Sequence, residues 1–219
     1  MFPARNVFAR SNAENSVPRK TRSSLPALII LTVIATVAVG LMVYLTSNGD
    51  SGKKNTLAEI GGPFELVDSK GQTVRDTDFR GTYLLVYFGY TFCPDICPTS
   101  LNTIAEAFDQ LPPGKLAHIQ ALFVSVDPER DSGAVLDDYT QNFHPRIKGL
   151  TGTREQINDM VSRYRGTYRI TKDDDPDYYP VDHSSIIYLM DENGKYVTHF
   201  SHQSPVDKVL AKLNEVLPD

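Results

Sequence analysis

The sequence predicts an α/β protein, a layered sheet flanked by helices and preceded by one transmembrane helix. Three observations carry this. From about residue 57 onward, short β-rich runs alternate with longer segments of helical periodicity. Two of those runs, residues 83–90 (YLLVYFGY) and 119–126 (IQALFVSV), are apolar at nearly every position, as strands covered on both faces must be. Residues 25–46 (LPALIILTVIATVAVGLMVYLT) contain no charge at all.

Residues 64–67 and Val74 flank the turn DSKG and read as short strands. The strand at 83–90 runs into the loop TFCPDICP. A helix is expected over 98–110, where Leu101, Ile104, Ala105 and Phe108 fall at helical spacing and LPPG ends the pattern. The strand at 119–126 comes next. Helices are expected at 132–143 and 153–164, the second opened by a capping box of Thr153 and Gln156. A strand at 185–190 turns through ENGK into another at 196–200, and an amphipathic helix at 205–217 closes the chain. Strands alternating with helices imply right-handed crossovers.

The N-terminal part has a different character. Residues 1–24 carry Arg5, Arg10, Arg19, Lys20 and Arg22 against Glu14, a net of +4. The whole chain is −5, so the remainder carries −9. A domain that acidic lacks the basic footprint of a nucleic-acid binder. The apolar window is 22 residues long, about 33 Å of helix, enough to cross a hydrocarbon core of about 30 Å. Its basic flank favours an N-terminus inside and a C-terminus outside. A cleaved signal peptide would have a shorter apolar region and a small-residue cleavage site. The expected organisation is a basic tail (1–24), a transmembrane helix (25–46), a Gly- and Ser-rich tether (47–56) and a folded domain (57–219).

Cys93 and Cys97 are the only cysteines. They lie at the carboxyl end of a predicted central strand, leading into a helix N-terminus. Open α/β sheets place their chemistry there, and helix N–H groups acidify a thiol there. A structural disulfide would close too short a loop to stabilise much. A redox dithiol is possible, although i, i+4 positions on a regular helix hold Cβ atoms about 5–6 Å apart, wider than a disulfide prefers. A peroxidase-like thiol is a further alternative. The spacing also suits two thiolates converging on one ion.

A metal would need a third ligand. His183, in YYPVDHSSIIYLM, follows a polar loop and precedes a strand that can lie beside the cysteines, with Asp182 as a possible acceptor behind it. His199 and His202 are runners-up; His118 and His144 read as structural or solvated. Two thiolates and one imidazole suit copper better than structural zinc, which takes four ligands.

Three segments together, YFGYTFCPDICPTSL, VSVDPERDS and VDHSSIIYLMDENG, resemble the Sco/SenC family of copper-binding assembly factors for cytochrome c oxidase. The resemblance implies a thioredoxin-like fold and one copper ion per chain, Cu(I) or Cu(II), held by Cys93, Cys97 and His183. It implies a metallochaperone that delivers copper to the CuA centre of oxidase subunit II, or a thiol-disulfide reductase that keeps the cysteines of that subunit reduced through Cys93 and Cys97. It further implies another copper chaperone as donor, a thioredoxin-like reductant, and the periplasmic face of a bacterial inner membrane. The alternative is the mitochondrial inner membrane, facing the intermembrane space. Beside these segments, Asp127–Arg130 reads as the approach to a helix capped by Asp131 or Ser132, or as a rim that docks a partner. Tyr87, Tyr90 and Phe92 read as core or pocket wall, and the acidic run 173–177 as a solvated loop.

Overall fold

A computed structural model describes residues 30, 33–42, 44, 60–171 and 179–219 of the 219. Residues 33–42 are helical. Much of the expected span 25–46, and the acidic run 173–177, lie outside the described residues. Among the described residues no helix is long and apolar enough to cross a membrane. The chain divides into two units, Met1–Asn55 and Thr56–Asp219.

The second unit is built on a seven-stranded sheet that grows outward from β3 (Tyr83–Gly89) and β4 (Ile119–Ser125). These are the two runs whose apolar residues never alternate. Leu85, Val86, Tyr87, Phe123 and Val124 are all fully buried, because neighbours cover both faces. β3 and β4 pair in parallel over their whole length, with Leu85 opposite Ala121 and Gly89 opposite Ser125. β5 (Ile147–Thr151) extends the sheet in parallel beyond β4. β1 (Glu65–Asp68) and β2 (Thr73–Arg75) form an antiparallel hairpin on that edge. On the other side, β8 (Ile186–Met190) runs antiparallel to β3, and β9 (Tyr196–Ser201) closes the order β2-β1-β5-β4-β3-β8-β9. The arrangement is the expected thioredoxin-like mixed α/β sheet.

Helices fill the crossovers. α1 (Ile96–Asp109) connects β3 toward β4 and packs against α5 (Val206–Val216). α3 (Gly133–Gln141) leads from β4 to β5 and packs on β5. Their closeness needs Gly149, where a Cβ would stand 2.9 Å from the Leu136 Cβ. α4 (Arg154–Arg163) opens with the expected capping box: Gln156 N–H donates to Thr153 Oγ1 at 3.3 Å, and Thr153 N–H donates to Gln156 Oε1 at 2.9 Å.

Several elements differ from the sequence reading. α1 begins at Ile96 and so takes in Cys97, two residues earlier than expected. The short helix α2 (Pro113–Ala117) follows the LPPG terminator at once. β5 carries no run of β-branched residues, yet four of its five positions are buried by α3 and its neighbours. β6 (Tyr168–Ile170) and β7 (Val181–His183) form a separate two-stranded ribbon, Tyr168 facing His183. Three residues are too few for a period to show.

The centre of the sheet should be the most sensitive place to truncate. Leu85→Ala, in β3 between Ala121 and Leu189, is expected to lower stability by about 2–5 kcal/mol, the range for deleting a buried Leu side chain. Denaturant unfolding of the variant checks this; a loss well under 1 kcal/mol would contradict β3 as the core strand.

Candidate metal centre at the end of the central strand

The site is assembled by three elements. β3 ends at Gly89, and Tyr90 leads into the cysteine loop. That loop turns back on itself, with Cys93 N–H donating to the Tyr90 carbonyl at 3.2 Å. Cys93 lies ahead of α1 while Cys97 sits inside its first turn, so the pair does not share a regular helix. Cys93 Sγ instead accepts from the Cys97 backbone N–H at 3.4 Å. The sulfur thereby takes up one of the donors that a helix start leaves without a partner.

Cys97 is the deeper of the two, fully buried against 8% exposure for Cys93. Its Sγ rests on the end of β3. A Cβ at Gly89 would lie 2.6 Å from that sulfur and 2.7 Å from a Phe123 ring carbon, so only glycine lets the helix come this close. Tyr87, from the same strand, donates its hydroxyl toward Cys97 Sγ at 3.9 Å. Both cysteines are free thiols.

β7 brings in the third group. His183 Nε2 lies 3.4 Å from Cys97 Sγ. Its Nδ1 faces the Ser184 carbonyl at 3.4 Å. An Nδ1–H donated there leaves the Nε2 lone pair toward the sulfurs. The ring is wedged edge-on between Tyr87, at 6.1 Å and 84°, and Tyr90, at 5.8 Å and 86°. Cys93, Cys97 and His183 each offer one ligand atom, and those atoms all lie within 4.8 Å of one another. Three donors about 2.3 Å from a common ion would stand about 4 Å apart. With the widest pair within 4.8 Å and the closest at 3.4 Å, the set fits an ion after shifts of under about 1 Å, which a loop sulfur can supply.

His199 and His202 do not join this cluster. His199 Nδ1 pairs with the Tyr196 hydroxyl on β9, and the His202 backbone N–H donates to the Ser185 carbonyl. Asp182 is exposed and lines the cavity mouth with Pro94 and Asp95, while Ser184 supplies the acceptor behind the imidazole. Tyr87 and Tyr90 form the wall, as expected, whereas Phe92 stands 52% exposed beside Cys93.

The Asp127–Ser132 stretch leads into the expected helix start, Ser132 being one of the two expected N-cap positions. Ser132 occupies the N-cap of α3, but neither it nor Asp131 caps with its side chain. Asp131 turns inward. Its carboxylate accepts from Ser125 Oγ at 2.5 Å and from Thr91 N–H and Oγ1 at 2.9 and 2.5 Å. Burial raises its pKa and these donors oppose that. The contact fastens the cysteine loop to the end of β4.

The two thiols divide one proton unequally. The hydrogen bond from Cys97 is the largest influence on Cys93 and draws it down, burial opposing; His183 and the N–H groups of Cys97 and Asp95 add to the lowering, to about 3. Burial, reinforced by the neighbouring Cys93 thiolate, pushes Cys97 far up. At neutral pH the metal-free pair is therefore one accessible thiolate over one buried thiol.

The family model SCO1/SenC matches residues 52–218. A SCO2-like protein of Rickettsia prowazekii is 41% identical over 192 residues, 83% of this chain and 92% of the relative. The mitochondrial SCO2 homolog of Bos taurus is 38% identical over 192 residues, 83% of this chain and 71% of the relative. Among solved structures, Arabidopsis thaliana ScoI with copper bound superposes with a TM-score of 0.67 at 37% identity, covering 72% of this chain and 98% of that one.

The division of the proton has a direct chemical readout. In the metal-free protein Cys93 should alkylate with iodoacetamide at a rate nearly constant from about pH 5 to about pH 8, because its thiolate is lost only as pH falls toward about 3. Cys97 should react only after unfolding. Peptide mapping by mass spectrometry distinguishes the two; a Cys93 rate that climbs tenfold per pH unit toward about 8.5, as for an ordinary thiol, would refute the assignment.

Proposed function

This chain belongs to the SCO1/SenC family, and from that premise we propose that it is a membrane-anchored copper chaperone whose ion is held by Cys93, Cys97 and His183. The observation that carries the reading is the meeting of two sulfurs and one imidazole nitrogen within 4.8 Å. Two soft thiolates and one borderline nitrogen suit Cu(I) in three-coordination, and Cu(II) with one further ligand from the open side. The copper-bound relative supports the choice of ion.

The acceptor is the CuA centre of cytochrome c oxidase subunit II. Copper passes to it by stepwise exchange of ligands with the acceptor's cysteines. The partly open face at Cys93 and His183, lined also by Pro94, Asp95 and Asp182, is where an incoming thiolate can reach the ion. A charge-free helix over residues 25–46 and the short tether 47–56 hold the domain beside a membrane-bound acceptor and raise its effective concentration. The basic tail and the bacterial relatives favour a bacterial inner membrane with the domain in the periplasm. Another chaperone would load the copper and a thioredoxin-like partner would keep the thiols reduced.

One observation favours a second activity, a thiol-disulfide reductase. An acidic, partly accessible Cys93 thiolate beside the free thiol of Cys97 is a nucleophile with its resolving partner. Cys93 would attack one sulfur of a disulfide in subunit II, and Cys97, deprotonated, would displace the second thiolate. The products are a dithiol in the target and a disulfide here.

His183→Ala separates the two. For a chaperone, Cu(I) affinity falls by more than the about 10–100-fold that loss of a residue merely orienting a ligand costs, and oxidase assembly falls with it; for a reductase, assembly persists with the weakened copper site. Competition against a Cu(I) chelator and oxidase activity in a complemented strain are the measurements.

Copper binding also has a predicted pH dependence. Cys93 is already a thiolate, so the dithiolate site forms by expelling the proton raised onto Cys97. Affinity should therefore rise about tenfold per unit of pH between about pH 7.5 and about pH 9, one proton being released per ion. Titration of apparent affinity against pH tests this, and a flat profile would contradict it.

A further inference from the structure

Arg130 is a largely buried cation in the VSVDPERDS segment, outside the three candidate ligands. Its side chain is 10% exposed, and its Nε donates to Asp127 Oδ2 at 2.5 Å, where the Asp127 side chain is fully buried. One guanidinium nitrogen, Nη2, is buried with no hydrogen-bond partner. A buried, unpaired N–H is costly and calls for a reason.

The reason lies in what surrounds it. The guanidinium carbon stands 3.6 Å from the centre of the Tyr179 ring, 4.8 Å from that of Phe92 and 5.6 Å from that of Tyr90. Three rings within about 6 Å form a cation–π cage, worth more where water is excluded. The rings come from two different places. Tyr90 and Phe92 bracket the turn that carries Cys93. Tyr179 leads into β7, which ends at His183. The Tyr179 hydroxyl donates to Asp127 Oδ1 at 2.9 Å, so the carboxylate that pairs with Arg130 also grips the third ring.

On its C-terminal side His183 is tied to the main sheet, since β8 pairs with β3 and places Ile187 opposite Tyr87; on its N-terminal side, among the described residues, no ladder does this joining. β7 pairs with β6 and with no strand of the main sheet. The cysteine loop is held to the end of β4 through Thr91 and Asp131. The Arg130 guanidinium lies against aromatic rings of both ligand-bearing segments.

We propose that Arg130 is a positioning residue that sets His183 at its distance from the two sulfurs, by packing rings of the cysteine loop and of the approach to β7 against one guanidinium. The inference rests on the reading of Cys93, Cys97 and His183 as a copper site. Lysine would keep the charge and the pairing with Asp127 but not the planar fork that lies against rings.

The test is a double-mutant cycle in the full-length chain, with Arg130→Lys, His183→Ala and both together, reading Cu(I) affinity by chelator competition. Arg130→Lys alone should weaken Cu(I) by about tenfold, the lower end for a residue that orients a ligand. In the His183→Ala background the same change should cost less than about twofold, because the ligand it positions is gone. Cu(II) loaded into Arg130→Lys should show weaker imidazole nitrogen coupling in its magnetic-resonance spectrum, while alkylation of Cys93 in the metal-free protein keeps its wild-type pH profile.

Because lysine keeps the buried Asp127 paired, the variant should fold, and its thermal midpoint without metal checks that. If it does not fold, Phe92→Leu, which takes a half-exposed ring of the cysteine loop away from the guanidinium, takes its place in the cycle with the same expectation. Equal weakening with and without His183 would overturn the proposal and make Arg130 a support of the cysteine loop alone. No weakening at all would overturn it too. If His183→Ala itself leaves affinity unchanged, the copper reading fails, and this inference with it.

Discussion

The contact between the Cys97 sulfur and the His183 imidazole, 3.4 Å long, brings together parts of the chain 86 residues apart. Much of the surrounding structure serves it. The core strand β3 ends in a glycine so that α1 can press Cys97 against the sheet. Tyr87, on that strand, and Tyr90, just beyond its end, then form a slot one imidazole wide. The slot fixes the ring plane, the Ser184 carbonyl fixes the ring's tautomer, and the remaining nitrogen has one direction in which to point. Burial and directionality are thus supplied by different groups, and neither depends on a metal being present.

The electrostatics follow from depth. Two thiols this close cannot both ionise cheaply in a buried site. The proton settles on the sulfur that water cannot reach, and the sulfur at the helix start keeps the charge. An apparently symmetric pair in the sequence is chemically unsymmetric in the fold. That asymmetry suits both of the proposed roles, holding a soft cation and presenting a nucleophile, and under the proposed copper reading it makes the deeper thiol the group through which pH acts on binding.

The strands at 83–90 and 119–126, the capping box at Thr153 and the hairpin at ENGK were legible because each signal is local. β5 was not, since burial by α3 rather than composition makes IKGLT a strand. β6 and β7 were too short to show a period, so the placement of His183 on a ribbon could not be read. Cys93 and Cys97 stood out by being the only pair, and His183 by its position before a strand. Gly89 and Ser184 gave no comparable signal: each matters through a partner distant in sequence or through a backbone atom. Arg130 and Asp131 were visible as charges after a buried strand. Ser132 takes the N-cap as expected, but the inward turn of Asp131 and Arg130 could not be read, because Thr91, Ser125, Tyr90 and Tyr179, which receive them, lie far off in sequence or show no local signal.

The ribbon of β6 and β7 has a consequence for how the site can work. Three-residue strands outside the main sheet open at far lower cost than the core they rest on. Cys97 is rooted in that core, but the imidazole rides on the ribbon. The centre therefore resembles a fixed jaw facing a less firmly rooted one: the sulfur of Cys97 is anchored in the core helix and sheet, whereas the imidazole depends on a three-residue ribbon for its N-terminal support.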